Sequence, residues 1–202
     1  VIRRNAKVSE VQATAEGGYI VVAHQSGQAV KLEADYVVST IPTPDLVGML
    51  SPAAPATVRQ SAKQLGYLAL IVLYAVTPKR ELLDTSYVYY LGRPYHRLAE
   101  MDKFCDTLSP PGENMLAVEF SCHRADDLWT MSDQELFELS LPCLEQDGIL
   151  TRRDVSKLFL VRAMHAYPIR YHGFQEHLDN VLGYVQAQPN LDVLGRTGEY
   201  RY

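Results

Sequence analysis

The chain has 202 residues, 47% of them hydrophobic and 21% charged, with 12 Gly and 11 Pro. That composition excludes a disordered segment, a collagen and a coiled coil, and the length is enough to bury a real core. Nineteen Lys and Arg against 24 Asp and Glu leave a formal charge of −5, which argues against nucleic acid as the main partner, because phosphate binding calls for a basic surplus or stripe.

Cys105, Cys122 and Cys143 form no CxxC pair and no metal-spaced cluster. An odd count does not describe a disulfide framework, so a reducing, cytoplasmic setting is expected. The longest apolar run covers residues 65–76. It falls short of the roughly 20 residues a spanning helix needs, so no transmembrane segment is expected. No basic n-region and apolar h-region open the chain, which begins at Val inside a patterned segment. A piece of a longer protein is the expectation.

In chain order, residues 1–14 hold Val8 and Val11 in a polar setting and read as a short strand. Residues 19–24 are β-branched and aromatic. Ser26-Gly27 then turns the chain, and residues 28–33 alternate, which together is a hairpin signal. Asp35-Tyr-Val-Val-Ser-Thr-Ile-Pro42 is an apolar run of strand length, of the kind found buried on both faces. Residues 45–50 are expected to form a helical turn capped by Asp45, and residues 55–65 a helix with Pro near its start and Gly66 past its end.

Strands are expected at 67–76, 87–91, 115–120 and 155–163, with 92–114 loop-rich. Leu158 and Leu160 should face inward on the last of these. Ser132-Asp-Gln-Glu135 is a capping box for a helix ending at Gly148, with Pro142 expected to kink or break it. A helix over 174–188 and a short strand at 191–194 follow. Strands and helices mix without strict alternation, so the fold class is α+β.

The chain holds no GxGxxG, no GxxxxGK[ST], no GxSxG and no HExxH. Its six histidines show no pair at i,i+4 spacing, so no metal site is expected. Asp126-Asp127 point apart as neighbours on one element. Two segments stand out. Val193-Leu-Gly195-Arg196-Thr-Gly198-Glu-Tyr200-Arg-Tyr202 is a strand running into a glycine-bounded turn with one arginine and two tyrosines. Glycines let a backbone approach a ligand closely, and ligands of open α/β sheets sit beyond the carboxyl ends of strands. Arginine is well suited to a diphosphate or carboxylate there, though a tight turn with a surface arginine has the same pattern. The second segment, Arg162-Ala-Met-His-Ala-Tyr167-Pro168-Ile169-Arg170, is a strand end passing into a proline-fixed extension.

Three of these pieces carry a family resemblance. Residues 35–42 resemble the aD-x-V-(I/V)-S-T-x-P segment of FAD-dependent amine-oxidase-like flavoproteins. Ala166-Tyr167-Pro168-Ile169 resembles their YPI element, and residues 195–202 resemble the GR-x-x-x-Y-(K/R)-Y element of the UDP-galactopyranose mutase-like and protoporphyrinogen oxidase-like branch. The order and spacing match across nearly the whole chain.

The resemblance implies a mixed-sheet substrate-binding domain over residues 45–190. It implies remnants of a GR2-type FAD-binding α/β domain at 1–44, and a strand returning to that domain at 191–202. It implies that Val8 offers a backbone contact to the adenine of FAD. Thr40, Pro42, Gly195 and Gly198 would lie along the cofactor, and Arg196, Tyr167 and Tyr202 would contact a small-molecule substrate. No catalytic residue follows from it. The family's pyrophosphate cradle is absent from this sequence, so the chain by itself is expected to bind FAD poorly and to be inactive. The expected activity of the intact protein is that of an FAD-dependent oxidoreductase. The alternatives are a mutase-like flavoenzyme acting on a sugar nucleotide and a non-catalytic binding module.

Overall fold

A computed structural model describes residues 1–78 and 80–201. By packing, the chain forms two compact units, one built from residues 1–67 and 167–202 and the other from residues 68–166. The second is therefore an uninterrupted insertion within the first. The division falls at different points from the functional boundaries expected at 44 and 190.

In the first unit, β1 (Ala6–Ala13), β2 (Tyr19–Gln25) and β3 (Gln28–Ala34) form an antiparallel meander, with β5 (Leu50–Ser51) parallel to β1. The β2–β3 turn is the one expected: Ser26 and Gly27 both take positive φ, at 50° and 79°. Such a two-residue turn matches the twist of its strands. β4 (Val37–Ser39) pairs parallel with β11 (Leu191–Val193). Helices α1 (Thr43–Met49), α2 (Ala56–Ala62) and α4 (Phe174–Gln186) share a core with Val11, Tyr19, Leu191 and Val193.

Two expectations for this unit are corrected. The run at 35–42 is a three-residue strand with only one face covered. Ser39 is buried, whereas Val38 is 54% exposed. Asp45 does not cap α1. Pro42 is the N-cap residue, without a side-chain hydrogen bond, and Asp45 lies in the first turn, where its charge suits the helix dipole. Proline at 42 and 44 holds φ near the helical value and lacks only an N–H that would be orphaned there.

The second unit is a five-stranded antiparallel sheet in the order β10-β6-β9-β8-β7. Its strands are β6 (Tyr67–Pro78), β7 (Tyr87–Tyr89), β8 (Arg97–Glu100), β9 (Glu113–Cys122) and β10 (Lys157–Pro168). One sheet face, with Ile71, Leu73, Leu116, Val118 and Phe120, shares a core with Leu136, Phe137, Leu141 and Leu144 of α3 (Asp133–Gln146). Leu158 and Leu160 pack against the same core, as expected. The capping box is formed: the Glu135 amide donates to Ser132 Oγ at 3.2 Å, and the Ser132 amide donates to Glu135 Oε2 at 2.7 Å.

Three further expectations are corrected. β8 lies inside the segment read as loop. Of the kink or break expected at Pro142, the break does not occur: Pro142 sits within α3 without ending it, because buried Leu136, Phe137, Leu141 and Leu144 anchor the helix on both sides. The C-terminal glycine-bounded turn is a short helix, α5 (Gly195–Glu199). Among the described residues, no helix is long and apolar enough to cross a membrane.

Candidate functional site

The site is assembled where β4 and β11 end. Pro42 stops β4 and starts α1, while β11 runs into Gly195, whose φ of +79° is a left-handed value that glycine adopts without strain. The Leu194 amide donates to the Ser39 carbonyl at 2.9 Å, extending the β4–β11 ladder by one bond. Thr197 Oγ1 donates to the Thr40 carbonyl at 2.7 Å. The Thr43 hydroxyl donates to the Gly198 carbonyl. Two threonine hydroxyls thus pin α5 across the end of β4. Gly198 permits this approach: a Cβ there would stand 3.3 Å from the Ser39 carbonyl oxygen and 3.5 Å from Val193 Cβ.

Two tyrosines, Tyr67 half-buried and Tyr200 buried, brace the same helix. Tyr67 Oη donates to the Thr197 carbonyl at 2.6 Å. Tyr200 Oη lies 2.8 Å from the carbonyls of both Gly66 and Ile169. The two rings meet edge to face with centroids 5.2 Å apart. Burial raises both phenol pKa values, so both stay protonated and act as donors. On the exposed side, the Arg196 guanidinium sits 5.3 Å from the centroid of Tyr167, a cation–π contact.

A groove of about 880 Å³ runs along the meander and β4, lined by Val8, Val11, Val21, Leu32, Val38 and Thr40 among others. The expected cofactor residues Val8 and Thr40 therefore share one apolar surface. Pro42 follows the lining residue Ile41 in sequence, and Gly198 packs against the carbonyl of the lining residue Ser39. Gly195 and Arg196 do not line the groove. Arg196 and Tyr167 form a separate pair. Tyr202 lies outside the described residues. Thr43, Tyr67, Thr197 and Tyr200 were not singled out from the sequence as site residues. Only Tyr200 carried a signal, as the first tyrosine of the GR-x-x-x-Y element.

The groove suits a largely apolar body. It fits the ring portions of FAD. The phosphate portion needs a glycine-rich cradle that this sequence does not contain. Among the described residues, no cluster of His, Cys, Asp and Glu could hold a metal ion.

The family model for flavin-containing amine oxidoreductases matches residues 1–179. The chain belongs to that family. A comparison with curated proteins finds no match. Among solved structures, this chain is similar to reduced UDP-galactopyranose mutase, with a TM-score of 0.77 and 18% identity over 100% of its length. It is also similar to a protein assigned as protoporphyrinogen oxidase from Exiguobacterium sp. 255-15, with a TM-score of 0.68 and 20% identity over 95% of its length. A third is putrescine oxidase bound to putrescine, with a TM-score of 0.64 and 16% identity over 94% of its length. At such identities the likeness establishes the fold. The chain spans 42% of each of these three structures.

Proposed function

We propose that this chain is the substrate-binding portion of an FAD-dependent oxidoreductase, joined to part of its flavin-binding domain. The observation that carries the reading is the shared groove. Val8 of β1 and Thr40, just past the end of β4, meet on one apolar surface, in a chain of the flavin-containing amine oxidoreductase family.

In this reading, residues 1–44 and 191–202 are remnants of a GR2-type FAD-binding domain, and residues 45–190 bind substrate. The Val8 backbone meets the adenine. Thr40, Pro42, Gly195 and Gly198 shape the path of the cofactor by holding α5 against β4. Arg196, Tyr167 and Tyr202 face the substrate. FAD, when bound, supplies two-electron redox chemistry, and the protein supplies binding, orientation and exclusion of water. The free thiols of Cys105, Cys122 and Cys143 suit a reducing, cytoplasmic compartment.

The test is a visible absorption spectrum of the complete gene product, purified beside the 202-residue chain. The long form should carry flavin and the short form should be colourless. A Val8→Arg change should strip flavin from the long form. A long form without flavin would end this reading.

A second reading is a mutase-like flavoenzyme acting on a sugar nucleotide. The observation favouring it is the exposed Arg196 set on the Tyr167 ring, a guanidinium, the group best matched to phosphate oxygens, beside an aromatic ring. Under it, Arg196→Ala in the complete protein weakens UDP-sugar binding by about 1.5–3 kcal/mol. An unchanged affinity removes it.

A further inference from the structure

The five-stranded sheet ends on β7 at one side and on β10 at the other. An edge strand presents a row of backbone N–H and C=O groups that another extended backbone can satisfy. Folded proteins guard such rows with short strands, covering loops, proline or charge. The β7 edge is guarded. It is three residues long, and its Ser86 and Tyr90 neighbours bond inward to Glu100 and His96, which turns the Tyr87 backbone outward. There the Thr85 hydroxyl donates to the Tyr87 carbonyl at 2.6 Å and accepts from the Tyr87 amide at 3.1 Å.

The β10 edge is long and open. Its twelve residues make an edge about 40 Å long, with no proline before the last position. All four residues from Val161 to Met164 are exposed. Successive side chains of a strand point to opposite faces, so both faces and the edge between them are uncovered at that point. Val161 and Met164 are 50% and 52% exposed, which places apolar area beside the free backbone. The charges of the strand stand aside from this centre. Arg162 donates through Nε to the Trp129 carbonyl at 3.0 Å and through Nη2 to the Met131 carbonyl. Lys157 is at the first position, with its ammonium 5.8 Å from the centroid of the Phe159 ring.

We infer that β10 is a self-association edge, on which two copies of this chain pair antiparallel across a two-fold axis at Ala163 and join their sheets into one. The row of main-chain donors and acceptors calls for a strand, as in other strand additions. The residue pattern suits a second β10. A two-fold axis requires the same patch on both partners. With Ala163 opposite its own copy, Arg162 falls opposite Met164, Val161 opposite His165 and Leu160 opposite Ala166. No like charges are then directly opposed, a condition for a stable cross-strand set. Centring the axis on Arg162 would set the two guanidinium groups against each other.

The experiment is sedimentation equilibrium of the full 202-residue chain over a concentration series. The average mass should climb towards twice that of the single chain. Val161→Lys with Met164→Lys sets like charges along the edge and should weaken self-association about tenfold or more. Leu91→Lys, at a fully exposed position beyond β7, should leave it unchanged. Amide exchange within residues 158–166 should slow as concentration rises, with no such change in β7. Should the lysine pair fail to fold, amide exchange on the unaltered chain decides. A chain monomeric throughout, association unmoved by the lysine pair, or association abolished instead by Val38→Asn with Leu194→Asn would overturn the inference.

Discussion

Thr197 donates its hydroxyl to the Thr40 carbonyl at 2.7 Å, joining residues 157 positions apart in sequence. The bond fixes α5 to the end of the strand that borders the groove. Thr197→Val keeps the shape and removes the donor. We expect a loss of about 0.5–1.5 kcal/mol in the first unit, the usual net worth of one hydrogen bond. Amide exchange of Leu194, whose N–H bonds to Ser39, should quicken, while amides of the inserted sheet stay unchanged. Equal quickening in both units would contradict a local clamp.

Gly198 is a close-packing position. Its φ is not in the left-handed range, so space is the only restriction, and a Cβ would meet the Ser39 carbonyl oxygen at 3.3 Å. Gly198→Val should destabilise by about 1–3 kcal/mol through overpacking and lower the flavin content of the complete protein. Urea unfolding and the visible spectrum check the two halves of this prediction separately. A Gly198→Val variant of full stability would show that the helix shifts freely.

Glu100 is a buried carboxylate with every bond inside the protein. Its Oε2 accepts from the amides of Leu82 and Leu83 at 3.1 and 2.8 Å, and its Oε1 accepts from Asn114 Nδ2 at 2.7 Å. It fastens the segment before β7 to the sheet. Glu100→Ala strands three donors, and a loss of about 3 kcal/mol or more is expected. Glu100→Gln retains two acceptor sites and should cost less. Denaturant melts of the two variants rank them, and equal losses would point to volume rather than hydrogen bonding.

Acid should loosen the caps before it loosens the cores. The carboxylates of Glu135 and Asp154 are held below their ordinary values, first by backbone amides at Ser132 and Thr151 and then by the hydroxyls of those residues. A carboxyl whose folded pKa is depressed stabilises fully above its unfolded value and loses that contribution as pH falls through the folded one. His96 also has a depressed pKa, so its contribution is present above the unfolded value near 6.5 and fades as pH drops. Carbon-detected titration of the carboxyls and imidazoles should show all three midpoints below their free-peptide values. A His96 midpoint above 6.5 would refute the assignment of burial as its main influence.

An apolar surface remains on β4 and its neighbours. Val38, Ile41 and Leu194 are 54%, 37% and 49% exposed, and Val38 and Leu194 lie on the same open face of the two-stranded sheet. Parallel strands are normally covered on both sides. The 202-residue chain should therefore brighten 8-anilinonaphthalene sulfonate, and Val38→Asn with Leu194→Asn should dim it. Fluorescence unaffected by the pair would place the dye elsewhere.

What the sequence disclosed follows from how local each cause is. The β2–β3 hairpin is legible because Ser26-Gly27 acts within two residues. The capping box is legible because Ser132 and Glu135 satisfy each other. β8 was unreadable because Arg97 and Glu100 look like loop residues until Glu119 and Asn114 meet them from β9. Pro142 does not break α3 because propensity is outweighed by Leu136, Phe137, Leu141 and Leu144 packed in the core. At the site, the family motif pointed to Thr40, Gly195, Arg196 and Gly198, of which Thr40 lines the groove and Gly198 packs against Ser39. The clamp by Thr43 and Thr197 was hidden, since nothing in a threonine's sequence neighbours says which carbonyl it will meet more than 150 residues away.

The nesting of one unit inside the other sets an order of assembly. Residues 68–166 are contiguous, so that sheet can close as soon as its own last strand has been synthesised. The enclosing unit must wait. Val37 and Ser39 have no β-partner until Leu191 and Val193 exist, a delay on the order of ten seconds at the pace of translation. Through that interval the half-made groove is the exposed nascent surface, and its valines are what a chaperone would meet first.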